Sequence, residues 1–102
     1  SIMSYLNKNY ASRITLSDVA AMIYFSPIYC DTVFRREVGR SIIDFLIDKR
    51  IEEAKKLLIG NLHKLSEIST LVGFNDYNYF ARVFKKRTGY TPLSYRKMML
   101  KY

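Results

Sequence analysis

Leu65-Ser66-Glu67-Ile68, followed by Phe74, Tyr79, Val83-Phe84, Gly89 and Tyr95, repeats a pattern already spelled by Leu16-Ser17-Asp18-Val19, Phe25, Tyr29, Val33-Phe34, Gly39 and Phe45. The offset is 49 residues up to the central Phe and 50 beyond it, so one residue has been added just after that Phe. A repeat of this length that keeps its aromatic and glycine positions means two similar units in tandem.

Outward from the repeat, apolar residues recur at three- and four-residue steps nearly everywhere, and no stretch alternates with period two. The units are therefore helical. In the first, Thr15 suits an N-cap with Asp18 placed to complete a capping box, whereas Lys64 holds the matching place in the second. Tyr24-Phe25-Ser26-Pro27 breaks that helix and starts another, with Ser26 as cap and Pro27 at the first helical position. Gly73-Phe74-Asn75-Asp76 does the same in the second copy, with Asn75 expected to cap and Asp76 to face the positive helix end. Each copy thus reads as a helix of about eight residues, a tight turn and a longer helix, which is helix-turn-helix grammar.

Between the copies, residues 41–59 read as one helix with an apolar stripe of Ile43, Ile47, Ile51, Ala54 and Leu58, ended by Gly60-Asn61. At 1.5 Å per residue it spans roughly 28 Å, comparable with the ~34 Å pitch of B-DNA. Pro92 starts a last short helix through Tyr95, Arg96 and Leu100, and Ile2, Met3, Tyr5 and Leu6 look like an amphipathic opening helix. The expected fold is all-α, about seven helices: a first unit over residues 1–40, a linker helix over 41–60 and a second unit over 61–102.

The 102 residues carry a net charge of +8, which points to an anionic partner. The charge is uneven: residues 63–102 hold eight Lys/Arg against two acids, residues 15–45 three against four. A charge kept only for solubility would be spread more evenly, so the C-terminal half is the expected binding half. The single cysteine, Cys30, excludes an internal disulfide and fits a reducing compartment. No apolar run has the length of a membrane span and no signal-peptide pattern opens the chain, which reads as a piece of a longer protein.

Phasing the second helix of each unit at about 100° per residue puts Cys30, Val33 and Phe34 inward and Ile28, Asp31, Thr32 and Arg35 outward. Fifty residues later Phe80, Val83 and Phe84 point inward and Asn78, Ala81, Arg82 and Lys85 outward. The B-DNA major groove admits a helix, so these outward sets are the candidate readers. Arg82 suits guanine O6 and N7, Asn78 adenine, Ile28 a thymine methyl and Asp31 the N4 amine of cytosine. Arg35, Arg36, Lys85, Lys86, Arg87 and Lys97 suit phosphates, which position rather than specify. Any one polar residue on such a helix is more often only a solvated face; it is the matched pair of sets that argues for binding. Phe25, Phe34, Phe74 and Phe84 belong to the core rather than to base stacking.

These residues carry a family resemblance. The run Ile68-x-x-x-Val72-Gly73-Phe74-x-Asp76-x-x-Tyr79-Phe80-x-Arg82-x-Phe84-Lys85-Lys86-x-x-Gly89-x-x-Pro92-x-x-Tyr95-Arg96 closely resembles the signature of the AraC/XylS bacterial transcription regulators. The linker pattern Arg50-Ile51-x-x-Ala54-x-x-Leu57-Leu58 and the first unit fit as well, so the resemblance covers essentially the whole chain. It implies two recognition helices in adjacent major-groove segments of double-stranded DNA, with base-reading positions at Ile28, Asp31, Thr32, Tyr77, Asn78 and Arg82. It also implies a cytoplasmic, nucleoid-bound regulator, an activator by family habit, with RNA polymerase as a partner. A further sensor, dimerisation or receiver domain is implied, and no cofactor. The first unit departs from the pattern with Tyr24 in place of the usual turn glycine, and with Asp31 and Thr32 where longer readers are frequent. Both departures place most of the affinity on the second unit.

Catalysis is not expected. The only His is His63, in a loop, and Cys30 sits on a core face, so no nucleophile–base pair, metal-ligand cluster or phosphate-cradling glycine loop is spelled. Glu52 and Glu53 lie among Lys49, Arg50, Lys55 and Lys56 on what reads as a solvated face. The alternative is a protein-interaction module that keeps the fold but binds DNA only non-specifically. RNA is a poorer fit than duplex DNA, because A-form RNA hides its major groove.

Overall fold

The computed structural model describes residues 2–23 and 26–101, without the side chain of residue 23. Among these residues there are seven helices and no strand: α1 Ile2–Asn9, α2 Leu16–Ile23, α3 Pro27–Val38, α4 Ile42–Gly60, α5 Leu65–Leu71, α6 Tyr77–Thr88 and α7 Pro92–Leu100. The chain divides into two compact units, residues 1–49 and 50–102, and the division falls inside α4.

Local chemistry sets the helix ends. Thr15 and Asp18 form a complete capping box: Thr15 Oγ1 accepts from the Asp18 amide at 3.1 Å and Asp18 Oδ2 accepts from the Thr15 amide at 2.9 Å. At the start of α5 only one half exists. Glu67 Oε1 accepts from the Lys64 amide at 2.9 Å, and a lysine ammonium has no lone pair with which to return the bond. Ser26 caps α3 by accepting from the Tyr29 amide at 3.2 Å, and Thr91 caps α7 through the Ser94 amide at 3.1 Å.

The cap of α6 differs from the sequence expectation. It is Asp76, not Asn75, whose carboxylate accepts from the Asn78 amide at 3.0 Å. The reason lies in the repeat: beyond the inserted residue the offset is 50, which brings Asp76 onto Ser26 and leaves Asn75 as the extra turn residue. In that turn Gly73 has φ 105, a conformation that L side chains adopt only under strain. Tyr24, at the matching place of the first unit, and the expected core residue Phe25 lie outside the described residues.

In the first unit α2 packs on α3, around Leu6, Val19, Cys30, Phe34, Ile42 and Leu46. In the second, α5 and α7 pack on α6, and Ile51, Leu58, Ile68, Phe74, Phe80 and Phe84 are buried. The repeat survives as geometry. Phe34 and Phe45 meet edge to face at 5.6 Å, and Phe84 and Tyr95, each 50 residues on, meet edge to face at 5.4 Å. The single stripe expected along α4 is not what forms. Its buried residues are Ile42 and Leu46 in the first unit and Ile51, Ala54 and Leu58 in the second, while Ile43 is 39% exposed. The helix walls two cores in turn, so no one face is apolar along its whole length.

Candidate nucleic-acid interface

Burial of the inward face fixes what α3 and α6 show to solvent. Cys30 and Phe34 anchor α3, and Phe80 and Phe84 anchor α6, with Val33 and Val83 half-buried beside them. On the other side of α3, Ile28 is 81% exposed, and Thr32, Arg35 and Arg36 are exposed too. An aliphatic side chain so far out of the core gains nothing from folding, which sets Ile28 apart from an ordinary solvated face. Along α6, Asn78, Arg82 and Lys85 are exposed at successive turns, with Lys86 and Arg87 beyond them; Lys97 is exposed on α7.

The two helices differ in electrostatics. α6 holds four basic residues and no acid, whereas α3 holds two of each. Part of the α6 charge has a purely local use, since cations in a last turn offset the negative end of the helix dipole. Arg82 and Asn78 stand too early in the helix for that explanation. Arg82 lies with its guanidinium 5.9 Å from the centre of the Tyr79 ring, a cation–π contact that restricts its long side chain. Tyr79 in turn packs on Phe74 at 5.9 Å. Tyr77 is half-buried against Phe80, ring centres 5.9 Å apart, and burial pushes its phenol above the usual value of 10.

On α3 the polar residues expected to read bases are partly engaged within the protein. Thr32 Oγ1 donates to the Ile28 carbonyl at 2.8 Å, which leaves the hydroxyl able to accept. Asp31 is committed more fully: Oδ1 accepts from the Ile42 amide at 2.8 Å and Oδ2 from Arg35 Nη2 at 3.3 Å.

Two arginines gain roles that the periodicity did not signal. Arg96 Nε donates to the Leu58 carbonyl at 3.1 Å and Nη2 to the His63 carbonyl at 2.7 Å, tying α7 to the end of α4 and to the loop after it. Arg50 lies 5.6 Å over the Phe74 ring, half-buried; burial lowers its pKa and the nearby Tyr79 works the other way. Arg50, Phe74, Asp76, Tyr79 and Arg82 line an open hollow of about 400 Å³ beside the turn of the second unit. Among the described residues no group of three or more His, Cys, Asp or Glu is placed to hold a metal ion, and no helix is long and apolar enough to cross a membrane.

Two helix-turn-helix units, each with an apolar inner and a polar or basic outer face on its second helix, define a DNA-binding domain of the helix-turn-helix class. A family model described as "Helix-turn-helix domain" matches residues 19–98, and the chain belongs to the AraC/XylS family of transcription regulators. It is 38% identical over 96 residues, 94% of its length, to an uncharacterized HTH-type transcriptional regulator YijO of Escherichia coli, of which it covers 34%. It is 33% identical over 100 residues, 98% of its length, to the HTH-type transcriptional activator RhaR of Yersinia pseudotuberculosis, again covering 34%. The C-terminal domain of AraT, a response regulator from Geobacillus stearothermophilus, superposes with a TM-score of 0.91 at 33% identity, over 95% of this chain and 81% of that one. The chain spans about a third to a half of the length of the curated relatives it matches.

Proposed function

We propose that this domain binds double-stranded DNA sequence-specifically through recognition helices α3 and α6, set in adjacent major-groove segments, and activates transcription as the output end of a longer regulator. The observation that carries the reading is the exposed Asn78, Arg82 and Lys85 face of α6, opposite the buried Phe80 and Phe84. Arg82, Asn78 and Tyr77 read bases on α6; Ile28 and Thr32 read on α3. Arg35, Arg36, Lys85, Lys86, Arg87 and Lys97 hold phosphates. The excess of basic residues on α6 supports its supplying most of the affinity. Activation rests on the kinship with RhaR, a transcriptional activator, and gives RNA polymerase as a protein partner. The length of the relatives supports a further sensing, dimerising or receiver domain in the whole protein. The domain itself does no catalysis, needs no cofactor and works in the bacterial cytoplasm at the nucleoid.

Selection from a randomised duplex pool at near-physiological salt tests this reading. Two enriched blocks about one helical turn apart support bipartite reading. One block means the first unit only grips phosphate, and no enrichment refutes sequence specificity for this domain alone. Salt separates DNA binding from a protein-interaction role. Contact with 6–10 phosphates weakens binding by about 10³–10⁵-fold between 50 and 200 mM salt, whereas an apolar protein interface responds far less.

A further inference from the structure

An acid on a helix face that meets phosphates needs a reason, and the internal repeat supplies one. Ile42 is the first residue of α4, so its amide is among those with no partner inside the helix, and the residue is fully buried, away from water. A buried amide without an acceptor is costly. Asp31, 11 residues earlier and in the middle of α3, provides that acceptor through Oδ1 at 2.8 Å. Its Oδ2 faces Arg35 one turn along α3, and the Asp31 side chain is 21% exposed against 63% for Arg35.

The second unit lacks both halves of this bond. Fifty residues after Asp31 stands Ala81, and fifty after Ile42 stands Pro92, which has no amide hydrogen. Pro92 likewise opens its helix and is likewise buried. The donor and the acceptor disappear together: where proline removes the N–H, no carboxylate stands opposite. That pairing is expected if the acid serves the amide, and has no reason to exist if the acid serves a base.

We propose that Asp31 is a positioning residue: it fastens the middle of α3 to the start of α4 and holds the Arg35 guanidinium in place, instead of reading cytosine. The carboxylate is then balanced from within by a cation and an amide, which is how α3 tolerates it beside DNA. Specificity on α3 falls to Ile28 and Thr32. The proposal rests on the reading of α3 as a recognition helix only for its consequence at DNA; the clamp itself is a property of the free protein.

The test compares the unaltered chain with Asp31→Asn and Asp31→Ala. The readouts are exchange of the Ile42 amide hydrogen by NMR and base preference in the duplex selection. Asparagine keeps an acceptor oxygen without the charge, so Asp31→Asn should retain protection of the Ile42 amide, retain the base preference at every position, and bind DNA as tightly or more tightly. Asp31→Ala should speed Ile42 exchange roughly 10- to 100-fold, the loss of one charge-assisted bond, and weaken DNA binding without changing which bases are preferred. Unchanged Ile42 exchange in Asp31→Ala overturns the clamp. A changed base at a single position in Asp31→Asn restores Asp31 as a reader and also overturns the proposal; this comparison does not depend on the alanine variant folding. If the unaltered chain enriches no block for α3, the recognition reading of α3 fails, and Ile42 exchange still decides the clamp.

Discussion

Three glycines lend themselves to one controlled perturbation, replacement by alanine. Gly39 and Gly89 follow α3 and α6 at the same place in the repeat, each with φ 87, and their amides donate to the carbonyls of Arg35 and Lys85, both at 2.8 Å. Gly60 is the last residue of α4 and is not among the residues with positive φ. A Cβ built on any of the three meets nothing within 4 Å, so sterics against neighbours cancel from the comparison. The reduced freedom of the unfolded chain, a gain of about 0.4–1 kcal/mol for Gly→Ala, is shared as well. What remains is the backbone. A left-handed conformation costs an L residue about 1–2 kcal/mol, so Gly39→Ala and Gly89→Ala should each destabilise by about 0.5–1 kcal/mol while Gly60→Ala stabilises by up to about 1. Urea unfolding followed by circular dichroism reads this directly. At an m-value of about 1–3 kcal/mol/M the midpoint of Gly60→Ala should lie roughly 0.3–2 M above that of Gly89→Ala. Equal midpoints for the three variants would refute the argument that φ alone decides. A neutral Gly89→Ala beside a damaging Gly39→Ala would show that the caps of the two units are not equivalent.

Arg82→Ala should weaken DNA binding by about 1–3 kcal/mol and relax preference at one base pair; if Thr32→Ala hurts more in the same titration, the assignment of most affinity to the second unit is wrong. Arg96→Ala removes bonds to the carbonyls of Leu58 and His63 and should cost about 2–4 kcal/mol of folding stability in urea. Arg96→Lys should recover only part of that, because one ammonium does not reproduce the fork. Ser69 is buried with no hydrogen-bond partner for its hydroxyl among the described residues, and the first unit has Ala20 at the matching place. Ser69→Ala should therefore be neutral or stabilising by up to about 1 kcal/mol, and a clear loss in the same urea assay would reveal a bond the hydroxyl makes. Burial raises the Tyr77 pKa, so its contribution to stability is complete below pH 10 and fades as pH climbs through the folded value. In a phenolate absorbance titration, Tyr77→Phe should delete a transition from the high end; losing one at or below pH 10 contradicts the burial argument.

What the sequence disclosed follows from range. Thr15 with Asp18, and Ser26 with Pro27, are decided within three residues of a helix end, and the helices start where those residues put them. The phase of α3 and α6 is decided within two turns, and it correctly turned Phe34 and Phe84 inward and left Ile28 outside. Asn75 is displaced from the cap by the inserted residue, and the repeat offset of 50 places Asp76 there instead. The stripe through Ile43 failed because a helix shared by two cores obeys neither period alone. Arg96 reaches carbonyls 38 and 33 residues away, far beyond the few turns over which helical periodicity is read.

Asp31 lies between these cases, and it shows what a repeat adds to a single sequence. Phase alone put its side chain on the outer face of α3, where an acceptor for cytosine was a chemically sound reading. Only the bond to the Ile42 amide reveals the other use, and one such bond on its own is compatible with either role. The second unit favours the clamp because the repeat sets Ala81 and Pro92 where Asp31 and Ile42 stand, so that neither end of the bond is kept. A paired change across two helices, donor and acceptor lost together, points to an interaction between the two ends, and the single variants of Asp31 measure it. An unpaired change, such as Ser69 against Ala20, shows only that the fold accommodates the smaller residue there. The residues of this chain whose roles are best separable from the fold are therefore those where its two units differ in concert.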